Sequence, residues 1–445
     1  MPGIPAFPLL LRDQDDVLFG SAEHAVTGRM FLHAAHRLAA DLPDGAWIVN
    51  LCRDRCHFAL VFAAAVLRGQ VSLLVSDRSS YRLRALADEF PGTVSVSDDP
   101  SVESPLRHHV VSPAWGAPAG DLPIPSIPAE RIVAIVFTSG STGEPVAHRK
   151  SWGALAMRNL AAGTRFDLTP THPTSIVGTV PAQHMYGFET TVLLPLHVAA
   201  SSWRGTVFYP VDMRRALDAV PAPRLLVTTP LQIRAMLQTR LALPPVAAIV
   251  SATAPLDAAM AAAAERRWDT RVLEIFGATE VGSIASRRTV AGDAWNIYPG
   301  VHLNGTAEET LVVAPFAAPT ALSDVIERLD DDHFRLLGRR TDLIKLGGRR
   351  ASLSGLNRIL TGIEGVTDGV FIPPDGPDDR PIARMLAFVV APARTPDAIL
   401  AALRERIDPA FLPRRVIAVD TLPRDEVGKL AHHALAALRA RLQDA

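Results

Sequence analysis

Between residues 132 and 276, short β-branched runs alternate with segments of helical spacing, and few folds can accommodate that alternation. Residues 132–137, 175–180, 206–209, 224–228, 248–251 and 271–276 read as strands. Residues 151–162, 188–198, 212–219, 230–239 and 255–268 read as helices. Pro230 and Pro255 suit first-turn positions, where a missing N–H costs nothing. Strands that alternate with helices imply a largely parallel sheet covered on both faces, so the expected class is α/β. Upstream, residues 47–51, 52–67 and 71–75 read as strand, helix and strand. Residues 112–128, rich in Pro, Ala and Gly, read as a surface connection.

The pattern changes twice after Thr279. Residues 285–337 are short, strand-like and turn-rich. Beyond them, residues 355–362, 396–407 and 430–442 look helical, while 365–372, 383–391 and 415–419 look extended. That is a small α+β unit, and we place the boundary after Arg339, giving domains of residues 1–339 and 340–445. With 48% hydrophobic and 20% charged residues, the chain of 445 can bury a large core and is not expected to be disordered. Its 45 Lys and Arg against 46 Asp and Glu argue against nucleic-acid binding by bulk charge. Cys52 and Cys56 are too few for a disulfide scaffold, and beside a buried helix they read as small buried thiols rather than metal ligands. No apolar run approaches the ~20 residues of a membrane span. The opening MPGIPAFPLL has no basic region before an apolar stretch, so no signal peptide is expected and a cytoplasmic protein follows.

The sharpest motif is Thr138-Ser139-Gly140-Ser141-Thr142-Gly143-Glu144-Pro145, directly after an apolar strand. Glycines let backbone N–H groups approach an anion, and hydroxyls add donors, which suits a polyphosphate. No Lys follows Gly143, so this is not the Gly-Lys-Ser/Thr nucleotide loop, and its Gly spacing differs from the dinucleotide fingerprint. A second motif, Phe276-Gly277-Ala278-Thr279-Glu280, ends a predicted strand, where parallel sheets place ligands. Glu280 suits Mg²⁺, a hard cation that takes one or two carboxylates plus phosphate oxygens. Gly338-Arg339-Arg340-Thr341-Asp342 and Leu422-Pro423-Arg424-Asp425-Glu426-Val427-Gly428-Lys429 complete the series.

In this order, from about Trp47 to Lys429, the motifs resemble those of the adenylate-forming superfamily of acyl-CoA synthetases, peptide-synthetase adenylation domains and luciferases. The resemblance implies a large N-terminal domain of packed, helix-covered sheets plus a small mobile α+β C-terminal domain. It implies ATP and Mg²⁺, a carboxylic acid made into acyl-AMP with release of pyrophosphate, and a thiol acceptor. Residue by residue, it implies that Thr138, Ser139, Gly140, Ser141, Thr142 and Gly143 surround the β- and γ-phosphates. His184 becomes the gate beside the acyl pocket, and Ala254 lies in the loop flanking adenine and acyl group. Phe276, Gly277 and Ala278 border the nucleotide, Thr279 meets the α-phosphate, and Glu280 holds Mg²⁺. Asp324 takes the ribose hydroxyls, Arg339 is the ribose-side arginine at the hinge, and Lys429 reaches the carboxylate and AMP during adenylation.

The chain departs from the family pattern after Pro145, where Val146 and Ala147 replace Lys and Gly; His148, Arg149 or Lys150 then offers the basic side chain for pyrophosphate. The hinge carries Thr341 beside Asp342, and Gly355 and Asn357 replace an acidic pair. The chain is shorter than the usual member, so part of the acyl or acceptor surface is expected to be trimmed. It looks most like short ligases of aryl-polyene and xanthomonadin-type pigment pathways, which load a hydroxybenzoate onto an acyl carrier protein. That likeness implies recognition of an acidic carrier by arginines such as Arg404, Arg414 and Arg415. The alternatives are a ligase using free CoA and, from another class, a degenerate nucleotide-binding regulator.

Overall fold

A computed structural model describes residues 5–20, 24–116, 120–139, 145–239, 241–306, 309–339, 343–346, 349–373 and 385–424. The sequence readings on residues 140–143, 341–342, Lys429 and 430–442 lie outside these. Of Thr138, Ser139 and Arg339 the backbone is described.

The alternation builds two large sheets. One has six strands in the order Pro145–Ser151, Ile132–Ser139, Val71–Leu74, Trp47–Asn50, Val94–Ser97 and Arg107–Val110. All its neighbours pair parallel except the first two. The other has eleven strands, and its centre is a parallel run of Arg271–Ala278, Ala248–Ser251, Arg224–Thr228, Thr174–Gly178 and Ala200–Ser202. At Gly282–Arg288 the direction reverses, and antiparallel strands lead out to Asp324–Arg328. The class is α/β, as expected. A separate three-stranded sheet, Asp368–Ile372, Leu386–Val390 and Arg415–Ala418, packs with helices Leu353–Thr361 and Pro396–Arg404 around its own core of Leu360, Phe371, Val389 and Leu403.

Helix Arg55–Arg68 shows how the core is made. Asp54 caps its start by accepting the N–H groups of Cys56 and His57, and Gly69, at φ 73°, ends it. The helix is apolar on every side, and Phe58, Leu60, Phe62 and Ala63 are buried. Each of the larger side chains contributes about 1.5–3 kcal/mol of burial. Cys52 and Cys56 are buried free thiols, with burial pushing both thiol pKa values up. Among the described residues, no helix is long and apolar enough to cross a membrane.

Asp98 locks the entry to this helix. It accepts the N–H groups of Arg53 and Asp54, each at 2.9 Å, and lies 3.1 Å from His57 Nδ1. Burial alone would raise its pKa, but these hydrogen bonds hold it down to about 2, from an ordinary 3.8. A depressed carboxyl pKa stabilises the fold above the unfolded value, and that stability is lost as pH falls through the folded value. Discounted for solvent screening, the contribution is about 1–2 kcal/mol. Urea unfolding of Asp98→Asn from pH 5 to pH 2 should show this acid-sensitive component gone. An acid limb matching that of wild type would show that Asp98 does not supply it.

Two sequence expectations fail for local reasons. Residues 206–209 form no strand; the neighbouring strand is Ala200–Ser202. Tyr209 instead caps helix Pro210–Asp218, its N–H donating to Asp212, which leaves Phe208 61% and Tyr209 73% exposed. Pro255 does not open its helix. Asp257 does, accepting the Met260 N–H at 2.9 Å, and the helix runs Ala258–Trp268. Pro230 does stand in the first turn of its helix.

Candidate active site

Parallel strands converge their carboxyl ends, so the segments that follow them become neighbours. After Ala248–Ser251 come Ala252, Thr253, with its left-handed φ of 79°, and Ala254. After Arg271–Ala278 come Thr279 and Glu280, both half-buried. Phe276 anchors this strand between Trp295 and Phe334, with ring centroids 5.5 and 5.4 Å away. The chain then turns back into Gly282–Arg288, and this turn tolerates glycine alone at two places. A Cβ at Gly277 would lie 2.5 Å from the Gly282 carbonyl oxygen, and one at Gly282 (φ 85°) 2.5 Å from Glu189 Oε1.

The turn is held from beneath by buried charge. Lys150, only 4% exposed, donates to the carbonyl oxygens of Thr279 and, at 2.7 Å, Glu280. Burial lowers its pKa, Glu189 and Glu280 push it back, and it settles at about 8. From the other side, the Ser283 N–H and hydroxyl donate to the Glu189 carboxylate. Burial raises the Glu189 pKa against these hydrogen bonds and the neighbouring cations. Of His148, Arg149 and Lys150, the three candidates for a phosphate-side cation, Lys150 has its ammonium committed to main-chain carbonyls. Arg149, next to it, is exposed.

His184 precedes a short helical turn, Met185–Gly187, with its Nδ1 3.0 Å from Ser76 Oγ beyond strand Val71–Leu74. The Tyr186 hydroxyl donates to the carbonyl oxygens of Thr228 (3.1 Å) and Val250 (2.9 Å), tying this turn to two central strands. Arg55 donates to the carbonyl oxygens of Gly178 and Val180, at 2.6 and 2.7 Å, and so fixes the approach to His184. Asp324 and Arg339 lie directly opposite in an antiparallel pair. Thr138 and Ser139 end a strand whose partner begins at Pro145.

The structure thus gathers His184, Ala254 and the segment from Phe276 to Glu280 on one set of strand ends, and pairs Asp324 with Arg339. Sequence reasoning missed Glu189, Arg158, Ser283 and Arg55. A lone carboxylate in the apolar run 188–198 was the available signal for Glu189. Among the described residues, no three metal-ligating side chains cluster, and the Glu280 carboxylate acts through its charge on Lys150 and His148. A half-buried carboxylate at a strand end fits a hard cation that draws its other oxygens from phosphate and water.

Residues 43–307 match the family of AMP-binding enzymes. The chain belongs to that family. It is an ATP-dependent, AMP-forming ligase. Among AMP-binding enzymes, a 4-coumarate–CoA ligase of Halorhodospira halophila is 32% identical over 303 residues, 66% of this chain and 73% of its own. A medium/long-chain-fatty-acid–[acyl-carrier-protein] ligase of Mycobacterium tuberculosis is 29% identical over 122 residues, 26% of this chain and 22% of its own. The o-succinylbenzoate-CoA synthetase of Bacillus subtilis, solved with its acyl-adenylate intermediate, superposes with a TM-score of 0.80 over 99% of both chains at 17% identity. The last of these is a likeness of fold.

Proposed function

We propose that the protein activates a small aromatic carboxylic acid as acyl-AMP and hands the acyl group to a phosphopantetheine thiol. The observation that carries this reading is the gathering of His184, Ala254, Thr279 and Glu280 beyond the carboxyl ends of one parallel run of strands. The aromatic acid draws its support from the relative named for 4-coumarate.

One oxygen of the acid attacks the α-phosphorus of ATP. The bond to the bridging oxygen breaks, and pyrophosphate leaves with the electron pair. The thiolate sulfur then attacks the acyl carbon, and AMP departs. In the first step two anions meet. The Thr279 hydroxyl donates to the α-phosphate, and Lys429 places an ammonium between carboxylate and phosphate. A Mg²⁺ ion held by Glu280 would offset negative charge on the phosphate oxygens. Asp324 and Arg339 take the ribose side, residues 138–143 the outer phosphates, and His184 and Ala254 the acyl side. A lysine on a moving C-terminal domain serves the first half-reaction and withdraws for the second.

The test is acid-dependent pyrophosphate release over hydroxybenzoates, 4-coumarate and a fatty-acid ladder. An aromatic site should discriminate by ring position, since an unpaired buried hydroxyl partner costs about 1–3 kcal/mol. A kcat/KM that climbs with chain length, at about 0.8 kcal/mol per buried CH₂, would replace the aromatic reading with a fatty-acid one.

For the acceptor we propose a carrier protein, read by the exposed Arg404, Arg414 and Arg415; the carrier-protein ligase among the relatives supports this. The second reading, free CoA, is favoured by the 4-coumarate–CoA ligase likeness. Competition of holo-carrier and CoA for pre-formed acyl-adenylate at two salt concentrations separates them. A CoA preference, or a carrier rate indifferent to salt, selects CoA.

A further inference from the structure

The buried charges beneath the Thr279–Ser283 turn take no part in the steps above, yet the fold invests heavily in them. Lys150 comes from the edge strand of the six-stranded sheet, Glu189 from the helical segment after His184, and Ser283 from the strand that leaves the turn. Three separate elements therefore meet under five residues. Arg158, 2% exposed on helix Trp152–Arg165, adds a second cation beside Glu189. Among the described residues its guanidinium nitrogens have no hydrogen-bond partner. An isolated buried charge is costly, and this set persists because the charges offset one another.

The bonds are also specific in direction. Lys150 donates to the carbonyl oxygens of Thr279 and Glu280, so the ammonium fixes these two peptide units. Glu189 takes both donors of Ser283 and touches the space a Cβ at Gly282 would fill. Held at both ends, the turn presents the Thr279 and Glu280 side chains from a fixed backbone. We propose that Lys150 and Glu189 are positioning residues for the nucleotide half of the site: they set the turn so that Thr279 and Glu280 reach the phosphates and their cation. The inference rests on the adenylation reading and deepens it by assigning the support under its nucleotide-binding turn.

The test uses the full chain carrying Lys150→Met, which keeps a long apolar stem and removes the donors, and the milder Ser283→Ala, which removes one donor to Glu189. The first readout is equilibrium binding of a non-hydrolysable ATP analogue with Mg²⁺, by calorimetry. The second is the split between KM for ATP and KM for the acid. Residues that orient a ligating group typically cost 10–100-fold when removed. We expect analogue affinity to fall by about 10–100-fold in Lys150→Met and by roughly 3–10-fold in Ser283→Ala. The acid KM should stay within about twofold, since no contact on the acyl side is lost. Thermal unfolding without ligand shows which variants fold; should Lys150→Met not fold, Ser283→Ala decides. Unchanged analogue affinity in a folded variant, or equal losses for ATP and acid, overturns the proposal. Wild-type protein that binds the analogue but releases no pyrophosphate with any acid would instead overturn the adenylation reading, leaving the binding comparison valid.

Discussion

Glu280→Gln is expected to raise the Mg²⁺ concentration needed for half-maximal adenylation and to slow that step by about 10²–10³-fold, the scale of losing one preorganised charge contact to the transition state. The substitution keeps size and shape and removes one negative charge. A neutral amide is a poor ligand for a hard cation. Among the described residues, no cluster of ligating side chains stands ready to replace it. The Glu280 charge also acts on buried Lys150, so thermal unfolding without ligand is measured alongside to separate any loss of stability from loss of the cation. Lys150 grips the Glu280 backbone, not its carboxylate, and should hold the turn unchanged. Pyrophosphate release measured across a Mg²⁺ titration checks the assignment. Overlaid curves for mutant and wild type would make Glu280 a structural residue.

Lys429→Ala should remove adenylation by about 10²–10³-fold or more while largely sparing thioester formation from supplied acyl-AMP. The reason is chemical. A carboxylate and a triphosphate repel as they approach, and that repulsion exists only in the first half-reaction. An interaction made only in that transition state lowers kcat together with kcat/KM. The role comes from the motif ending in Gly428-Lys429, and Lys429 lies outside the described residues. Near-normal pyrophosphate release by the mutant would strike it from the mechanism.

The strands and helices of the central region were legible because period-2 and period-3.6 patterns separate cleanly where each face is buried. Legibility failed at Phe208 and Tyr209, where an apolar aromatic pair imitates a strand but caps a helix on the surface. It failed at Pro255 because an Asp two residues on was the better cap. Among the candidate site residues, the motif order singled out Thr279, Glu280, Asp324 and Arg339. That Asp324 and Arg339 face each other depends on a hairpin whose register shifts between Val325 and Ile326, and a linear motif does not carry that. Lys150 was visible as a cation, but its direction was not: its partners lie about 130 residues along the chain. Glu189 was not singled out, because its donors come from Ser283, 94 residues later. Buried polar groups are explained by partners, and partners are tertiary facts.

The helical stretch after His184 is not α-helical throughout, since Phe188–Leu193 winds as a π-helix. Such a segment accommodates an extra residue in its turn, and Thr190 and Thr191 secure it by donating to the carbonyl oxygens of Tyr186 and Gly187, both at 2.6 Å. An α-helix advances 100° per residue. Deleting one residue here would rotate everything on one side of the cut by about that angle relative to the other. Either Tyr186 would leave its two strand carbonyls, or Leu194 and Leu196 would turn out of the core. The wide turn thus works as a phase shifter. It lets one continuous rod aim Tyr186 at two strand carbonyls, the Glu189 carboxylate at Ser283, and Leu194 and Leu196 into the core.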